Sequence, residues 1–244
     1  MDPPTNGKTA VPQTLTLRGR LVELRSPEDP TLDERLAAVL SDRETMAHLS
    51  AAFGREQWST AQASARRQGR LEAQQRDEAL ACYAFALDGE WIGACFARAG
   101  GERNSGGGGD ANARDRPRRV QPPTGFGGFR SLNKQQAEGG LVLKAGTTRR
   151  GIGTESMLLL CDWAFDVFGT ARVFLRTQAE NDAMMRFCER YGFRDCGVVR
   201  SNNLDWREWD VLPERWREHV RPRMQARLQQ LPGAAAADTT TSPQ

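Results

Sequence analysis

The 244-residue chain is poor in the residues that build metal centres and redox sites. It has only two histidines, His48 and His219, and no cysteine pair in a C-x-x-C spacing. This argues against a structural zinc site, and against a triad built on histidine. Cys82, Cys95, Cys161, Cys188 and Cys196 are odd in number and lie in apolar or strand-like surroundings. They read as free thiols in a reducing compartment rather than a disulfide framework. No apolar run approaches the roughly 20 residues of a membrane span. The opening residues, rich in Pro, Thr and Asn, lack the apolar centre of a signal peptide. Charge of neither sign dominates: 27% of residues are charged and the net charge is +3, so nothing draws the whole chain toward nucleic acid or membrane. The expectation is a soluble, cytoplasmic protein with no metal.

Two nucleotide motifs are also missing. There is no G-x-x-x-x-G-K-[ST], and the glycine turn at Gly151-Ile152-Gly153 has Ser156 where a dinucleotide fingerprint has its third glycine. That turn is nevertheless the richest signal in the chain. Thr148-Arg149-Arg150-Gly151-Ile152-Gly153-Thr154-Glu155 follows a strand-like run, Gly140-Leu141-Val142-Leu143, and leads into a helix-like one, Ser156 to Phe165. The first N–H groups of a helix have no partner inside it, and the macrodipole places positive charge there. Glycines let a phosphate come close to the backbone, and two arginines add charge. The stretch reads as a site for a phosphate-bearing cofactor.

Downstream, Ala171–Thr177 reads as a strand after the helix stop Gly169, and Asn181 or Asp182 caps a short helix that Gly192 ends. The sequence of strand, [RQ]-x-x-G-x-[GA] turn, helix, strand and N-x(10)-G-F resembles the GNAT superfamily of acyl-CoA-dependent N-acetyltransferases. Asn181, Gly192 and Phe193 fit the last spacing. The RimJ/RimL-like branch, which acetylates ribosomal-protein amino termini and related amines, is the most similar. Thr16–Arg25 resembles its opening strand, Glu138-Gly139-Gly140 its a-E-x-G, and Gly153-Thr154-Glu155 its G-x-[AGT]-T-E. One position departs from the pattern: Thr148 stands where the turn usually has Arg or Gln.

The expected organisation is a flexible N-terminus (1–13), one α/β domain (14–231) with a mixed sheet, and a disordered tail (232–244). Residues 99–124, Gly-rich, then Arg- and Pro-rich, without one aromatic, read as a disordered insertion because they cannot bury enough apolar area to offset ordering entropy. Between these segments the chain reads as one opening strand, a helix over 29–49 and a polar helix over 59–78. A hairpin follows about Asp88-Gly89, with the strand resumed at 126–132. The glycine turn, strands at 193–200 and 206–212, and a helix from Pro213 to Leu231 complete the chain. The order β-α-α-β-β-(insertion)-β-α-β-α-β-β-α suits a mixed α/β fold and agrees with the GNAT fold.

The resemblance implies acetyl-CoA as co-substrate. Amides of Gly151, Ile152, Gly153 and Thr154 would receive its pyrophosphate, with Arg149 and Arg150 adding charge. The backbone of Leu141 and Leu143 would run beside the pantetheine, a free N–H near Leu143 polarising the thioester carbonyl. Asn181 contacts the pantetheine, caps its helix, or does both. Glu138 is the candidate base that takes the amine's proton; the plain alternative is an exposed strand-end carboxylate. Glu155 reads as structural, a first-turn carboxylate. Cys188 stands seven residues after Asn181, where many GNAT enzymes carry a tyrosine acid. It is either a proton donor or a packed small residue, and Tyr191, one turn on, reads as core. Asp205 or Glu208 would face a cationic acceptor.

The acceptor expected is a primary amine, on a protein amino terminus or a small molecule; the enzyme would be a monomer or homodimer. A catalytically silent acyl-CoA-binding module is the alternative that Thr148 and Cys188 keep open. Nucleic-acid binding through Arg114, Arg116, Arg118 and Arg119 lacks the interleaved aromatics it needs.

The site has a direct test. Acetyl-CoA or CoA at 100 times its dissociation constant should stabilise the protein by about 2.7 kcal/mol. Gly153→Glu, which places a carboxylate where the pyrophosphate binds, should abolish that thermal shift without unfolding the protein. NADH should give none.

Overall fold

The computed structural model describes residues 11–47, 57–76, 78–87, 91–98, 133–145, 150–201 and 204–231, with only the backbone path for 91–98 and Ser201. The N-terminal end before Val11, the insertion 99–124, the segment 126–132, the turn at Asp88-Gly89, Thr148, Arg149 and the tail 232–244 lie outside the described residues. Eight strands form one mixed sheet. They are β1 (Thr16–Arg18), β2 (Val22–Arg25), β3 (Ala79–Ala86), β4 (Trp91–Arg98), β5 (Ala137–Leu143), β6 (Val173–Thr177), β7 (Arg194–Ser201) and β8 (Leu204–Val211). Their order is β1-β2-β3-β4-β5-β6-β8-β7, and every neighbouring pair is antiparallel except β5 with β6.

Helices cover both faces. On one lie α1 (Asp33–Ser41), α2 (Arg43–Met46) and α3 (Thr60–Gln75), where Leu36, Val39, Leu40, Met46 and Ala63 pack against Tyr83, Phe85 and Val142. On the other lie α4 (Ile152–Asp162), continued as a wider turn over Trp163–Phe168, then α5 (Asp182–Tyr191), α6 (Pro213–Arg215) and α7 (Arg221–Gln229), the last two joined through Trp216–Val220. Their apolar faces bury Leu24, Leu80, Leu175, Trp209 and Val211 of the sheet. Alternation along the strands sends successive residues to these two cores.

Two expected elements divide. The helix over 29–49 stops at Asp42, whose backbone is extended (ψ 113°) and whose side chain caps the next turn by accepting from the Glu44 N–H at 3.0 Å. The single opening strand is a hairpin, β1 with β2. The N–H groups of Arg20, Leu21 and Val22 donate to the Glu155 carboxylate at 2.9, 2.5 and 2.9 Å, and so turn the chain. Glu155 is therefore structural, as read, but it serves a distant turn and not its own helix. The turn has been shaped to it: a Cβ on Gly19 would collide with that carboxylate.

Hydrogen bonds to a charged group contribute about 1.5–3 kcal/mol each, and stranded buried donors cost about 1–3 kcal/mol. Glu155→Ala should thus lower the unfolding free energy in urea by about 3 kcal/mol or more, on the same principle. Glu155→Gln, keeping one acceptor oxygen, should fall between it and the parent protein. Equal stability of Glu155→Ala and parent would show that the turn does not depend on the carboxylate.

Candidate active site

Among the described residues, the only parallel pairing is also the shortest. Strands β5 and β6 meet at Ala137 with Val173 and at Glu138 with Phe174, and then part. Beyond that point β5 keeps β4 on one edge, up to Gly93 with Leu143, while β6 keeps β8, up to Thr177 with Arg207. Among the described residues no strand pairs the facing edges of Gly139–Leu143 and Leu175–Thr177, so the sheet forks. A Cβ on Gly139 would lie 2.8 Å from Leu175 Cδ2, so glycine there lets the Leu175 side chain sit at the root of the fork.

The glycine turn lies over the β5 arm. Gly151 takes the left-handed conformation (φ +82°) as the cap of α4, and the first intrahelical bond runs from the Glu155 N–H to the Gly151 carbonyl at 2.9 Å. The amides of Ile152, Gly153 and Thr154 fall in the first turn, whose donors α-helices leave unpaired. A Cβ on Gly153 would be 3.4 Å from Leu143 Cδ1 and 3.7 Å from Leu141 Cδ2, so the helix start packs on side chains of the β5 arm. Arg150, just before the turn, is exposed. The backbone donors and the Arg150 cation together fit a pyrophosphate-bearing co-substrate.

The other arm leads to α5. Asn181 caps it, accepting from the Met184 N–H at 3.1 Å, and Gly192 ends it at φ +84°. Tyr191 Oη lies 3.0 Å from Thr154 Oγ1, both buried, a bond that ties α5 to the start of α4 and that the sequence reading missed.

Of the two candidate catalytic groups, the structure brings Glu138 to the apex of the fork. It is buried (4% exposed), and Arg176 Nη1 stands 3.8 Å from its carboxylate. Cys188 is instead a fully buried member of the core beneath α5, and desolvation, with Glu189 and Asp195 nearby, pushes its thiol well above its ordinary value. A thiol held that way is a poor proton donor; its surroundings are those of a packing residue. Glu208 does not present a free carboxylate to an acceptor, contrary to expectation. It is buried and accepts from Arg172 Nη2 at 2.7 Å and Arg176 Nε at 2.9 Å. Asp205 is exposed, but alternation along β8 sends it to the same side as Trp209, away from Glu208.

Beside the fork a set of ion pairs spreads over β6, β7 and β8. Asp210 accepts from Arg172 Nε at 2.7 Å and from Arg194 Nε at 2.8 Å. Burial opposes its charge, yet the bonds from Arg194 and Arg172 prevail and hold its carboxyl below the usual range. The sequence does carry a signal for this network. Arg172-x-Phe174-x-Arg176 and Glu208-x-Asp210 place opposite charges at a spacing of two, which suits facing strands.

The comparisons with known proteins agree with this geometry. The acetyltransferase (GNAT) domain profile matches residues 21–194. The chain belongs to this family of acetyl-CoA-dependent N-acetyltransferases. No curated protein matches it in sequence. Solved structures with a similar fold include a GCN5-related N-acetyltransferase from Brucella melitensis (TM-score 0.61, 20% identity, 89% of this chain and 87% of that one). RimL, the ribosomal L7/L12 alpha-N-protein acetyltransferase, in complex with coenzyme A, superposes with a TM-score of 0.59 at 16% identity over 81% of this chain and 98% of its own. An acetyl transferase from Salmonella typhimurium that modifies the N-terminal serine of L7/L12 gives 0.57 at 16% identity, over 83% and 98%. At such identities the likeness is one of fold. Among the described residues, no helix is long and apolar enough to cross a membrane.

Thiol chemistry checks the placement of Cys188. Burial raises Cys82 to about 12 and raises Cys161 and Cys188 further, whereas Cys196 is exposed. Of these four, a thiol reagent should modify Cys196 in the native protein and the other three only on unfolding. Cys188→Ala should keep its turnover and cost about 1 kcal/mol of stability, the typical effect of a core change. Loss of turnover in that variant would reinstate Cys188 as the acid.

Proposed function

We propose that the protein transfers the acetyl group of acetyl-CoA directly to a primary amine, with Glu138 as the base. The observation that carries this reading is the position of Glu138 at the root of the fork, on the strand whose Leu141 and Leu143 side chains lie against the α4 start. The amides of Gly151, Ile152, Gly153 and Thr154 and the charges of Arg149 and Arg150 would hold the pyrophosphate. The free edge at Leu141 and Leu143 would take the pantetheine amides, with Asn181 on the opposite arm. Arg149 lies outside the described residues, so its share rests on sequence alone.

An ammonium has no lone pair, so the acceptor must lose a proton before it attacks. Glu138 takes that proton, directly or through one water. The amine nitrogen then bonds to the thioester carbonyl carbon, whose developing negative charge an N–H near Leu143 stabilises. The carbon–sulfur bond breaks, CoA leaves as thiolate, and the nitrogen's surplus proton passes to that thiolate or to water, leaving the neutral amide. A thiol of pKa about 8.5 is a good leaving group, so the reaction needs no dedicated acid at the position Cys188 occupies. An acceptor on a protein amino terminus, as for the alpha-N-protein acetyltransferase RimL, is consistent with this chemistry.

Glu138→Gln keeps the shape of the side chain and removes its basicity. It should lower kcat/KM by about 10²–10⁴-fold, the typical contribution of a general base. Its affinity for CoA, measured by calorimetry, should stay within about twofold, well under the tenfold that 1.4 kcal/mol would produce. Unchanged turnover would remove Glu138 from the mechanism, whereas turnover lost together with CoA affinity would mark it as structural.

A further inference from the structure

Strand alternation sets Glu138, Arg172, Phe174, Arg176, Glu208, Asp210 and Arg194 on one face of the sheet, running from the fork to the β7 edge. The face is ordered in depth. Its three carboxylates lie beneath, with side-chain exposures of 6% for Glu138, 8% for Glu208 and 1% for Asp210. The guanidiniums lie outermost, at 25% for Arg172 and Arg176 and 58% for Arg194. Arg172 and Arg176 also cover the Phe174 ring, 4.9 and 5.0 Å from its centre. Three acids and three arginines cancel in number but not in position. The layer has its negative end buried and its positive end toward solvent.

A second cation approaching this face meets guanidinium and finds no carboxylate free to receive it, because Glu208 and Asp210 are each held by two arginines. The Nε and Nη2 edges of Arg176 and Arg194 are taken by Glu208 and Asp210, so an incoming carboxylate meets their remaining Nη1 donors, the more exposed of them on Arg194. Arg176 stands at the fork and Arg194 on β7, two strands away and two residues further along, a separation of roughly 12 Å at about 4.8 Å per strand and about 3.3 Å per residue. An extended peptide covers that distance in about four residues, at about 3.3 Å each.

We infer that the acceptor is an amine whose molecule also carries carboxylates, held by Arg176 and Arg194 some residues from the amine, and not a polyamine. This rests on the N-acetyltransfer reading above. The chemistry favours an amino-terminal peptide segment with acidic side chains just after the reacting residue; a small amino dicarboxylate offers the same groups over a shorter reach.

The test measures kcat/KM with acetyl-CoA for three peptides of equal length and the same first residue, followed by acidic, neutral or basic side chains. Glutamate and spermidine serve as small-molecule arms. The acidic peptide should exceed the basic one by about tenfold or more, equivalent to about 1.4 kcal/mol. Preference for the peptide over glutamate, or the reverse, identifies the source of the carboxylate. Arg194→Gln, which leaves Asp210 paired with Arg172, should bring the acidic-to-basic ratio toward one, and Arg194→Lys should largely restore it. Faster turnover of spermidine or the basic peptide overturns the inference while leaving the transferase reading intact, as does a ratio unmoved in Arg194→Gln. Acetyl-CoA binding with no amine acetylated in any arm would sink the transferase reading, and the inference with it.

Discussion

A single carboxylate organises this protein. Glu155 lies in the first turn of α4, where an acidic side chain ordinarily folds back to satisfy the helix's own free N–H groups. Here it reaches away, to three amides of a turn more than 130 residues earlier in the chain. The difference matters for the site. A carboxylate folded onto the α4 amides would compete with a pyrophosphate for the same donors, by charge and by hydrogen bonding. Spent on the β1–β2 turn, it leaves those donors free and fixes the helix start against the sheet. The other end of the chain closes the same corner: Arg20 Nη2 donates to the Leu228 carbonyl at 2.8 Å, and Leu21, Leu228 and Leu231 surround Gly151 so closely that a Cβ there would strike Leu231. First and last elements converge on the glycine turn, so its conformation depends on the folding of the whole domain.

The second constraint is topological. One parallel pair in an otherwise antiparallel sheet needs a crossover, and α4 with its continuation supplies it. Because β5 and β6 hold only two residue pairs, each keeps an outer partner and loses its inner one. Unpaired backbone polar groups are costly when buried and useful when they face a ligand rich in amides. In the reaction proposed above, the fork would turn a loss of ladder hydrogen bonds into an edge for the pantetheine amides. The glycine at 139 permits it, since Leu175 occupies the space a Cβ would need.

Local chemistry was legible in the sequence, and distant partners were not. Gly151, Gly169 and Gly192 were read as a turn and two helix stops, and all three have positive φ. Asn181 or Asp182 was read as a cap, and it is Asn181 that accepts from Met184 N. Such signals involve residues within one turn of each other. The hairpin at Gly19–Leu21 escaped notice because what bends it is Glu155, remote in sequence; the one local sign is the phase shift of apolar residues at Leu21-Val22. Glu208 was misread for the same reason. An acidic residue in a strand looks like a free charge until the neighbouring arginines are in place, and Arg176 comes from β6 and Arg172 from the residue just before it. The break at Asp42 could have been found, since an aspartate two residues before Glu44 and three before Thr45 is an ordinary cap hidden inside an amphipathic pattern.

Cys188 shows why position in a motif and chemical role can part company. The motif fixes the helix; it does not fix what the side chain at one position must do. A tyrosine there would be long enough to carry its hydroxyl out of the core, whereas a cysteine ends where the core begins, and burial raises its thiol so far that it holds its proton. In the proposed reaction this costs little, because the departing thiolate is already stable near neutral pH. What α5 must still provide is geometry. The Tyr191–Thr154 bond supplies it, fastening the last turn of α5 to the first turn of α4. The two arms of the fork are thus joined through side chains where the sheet no longer joins them.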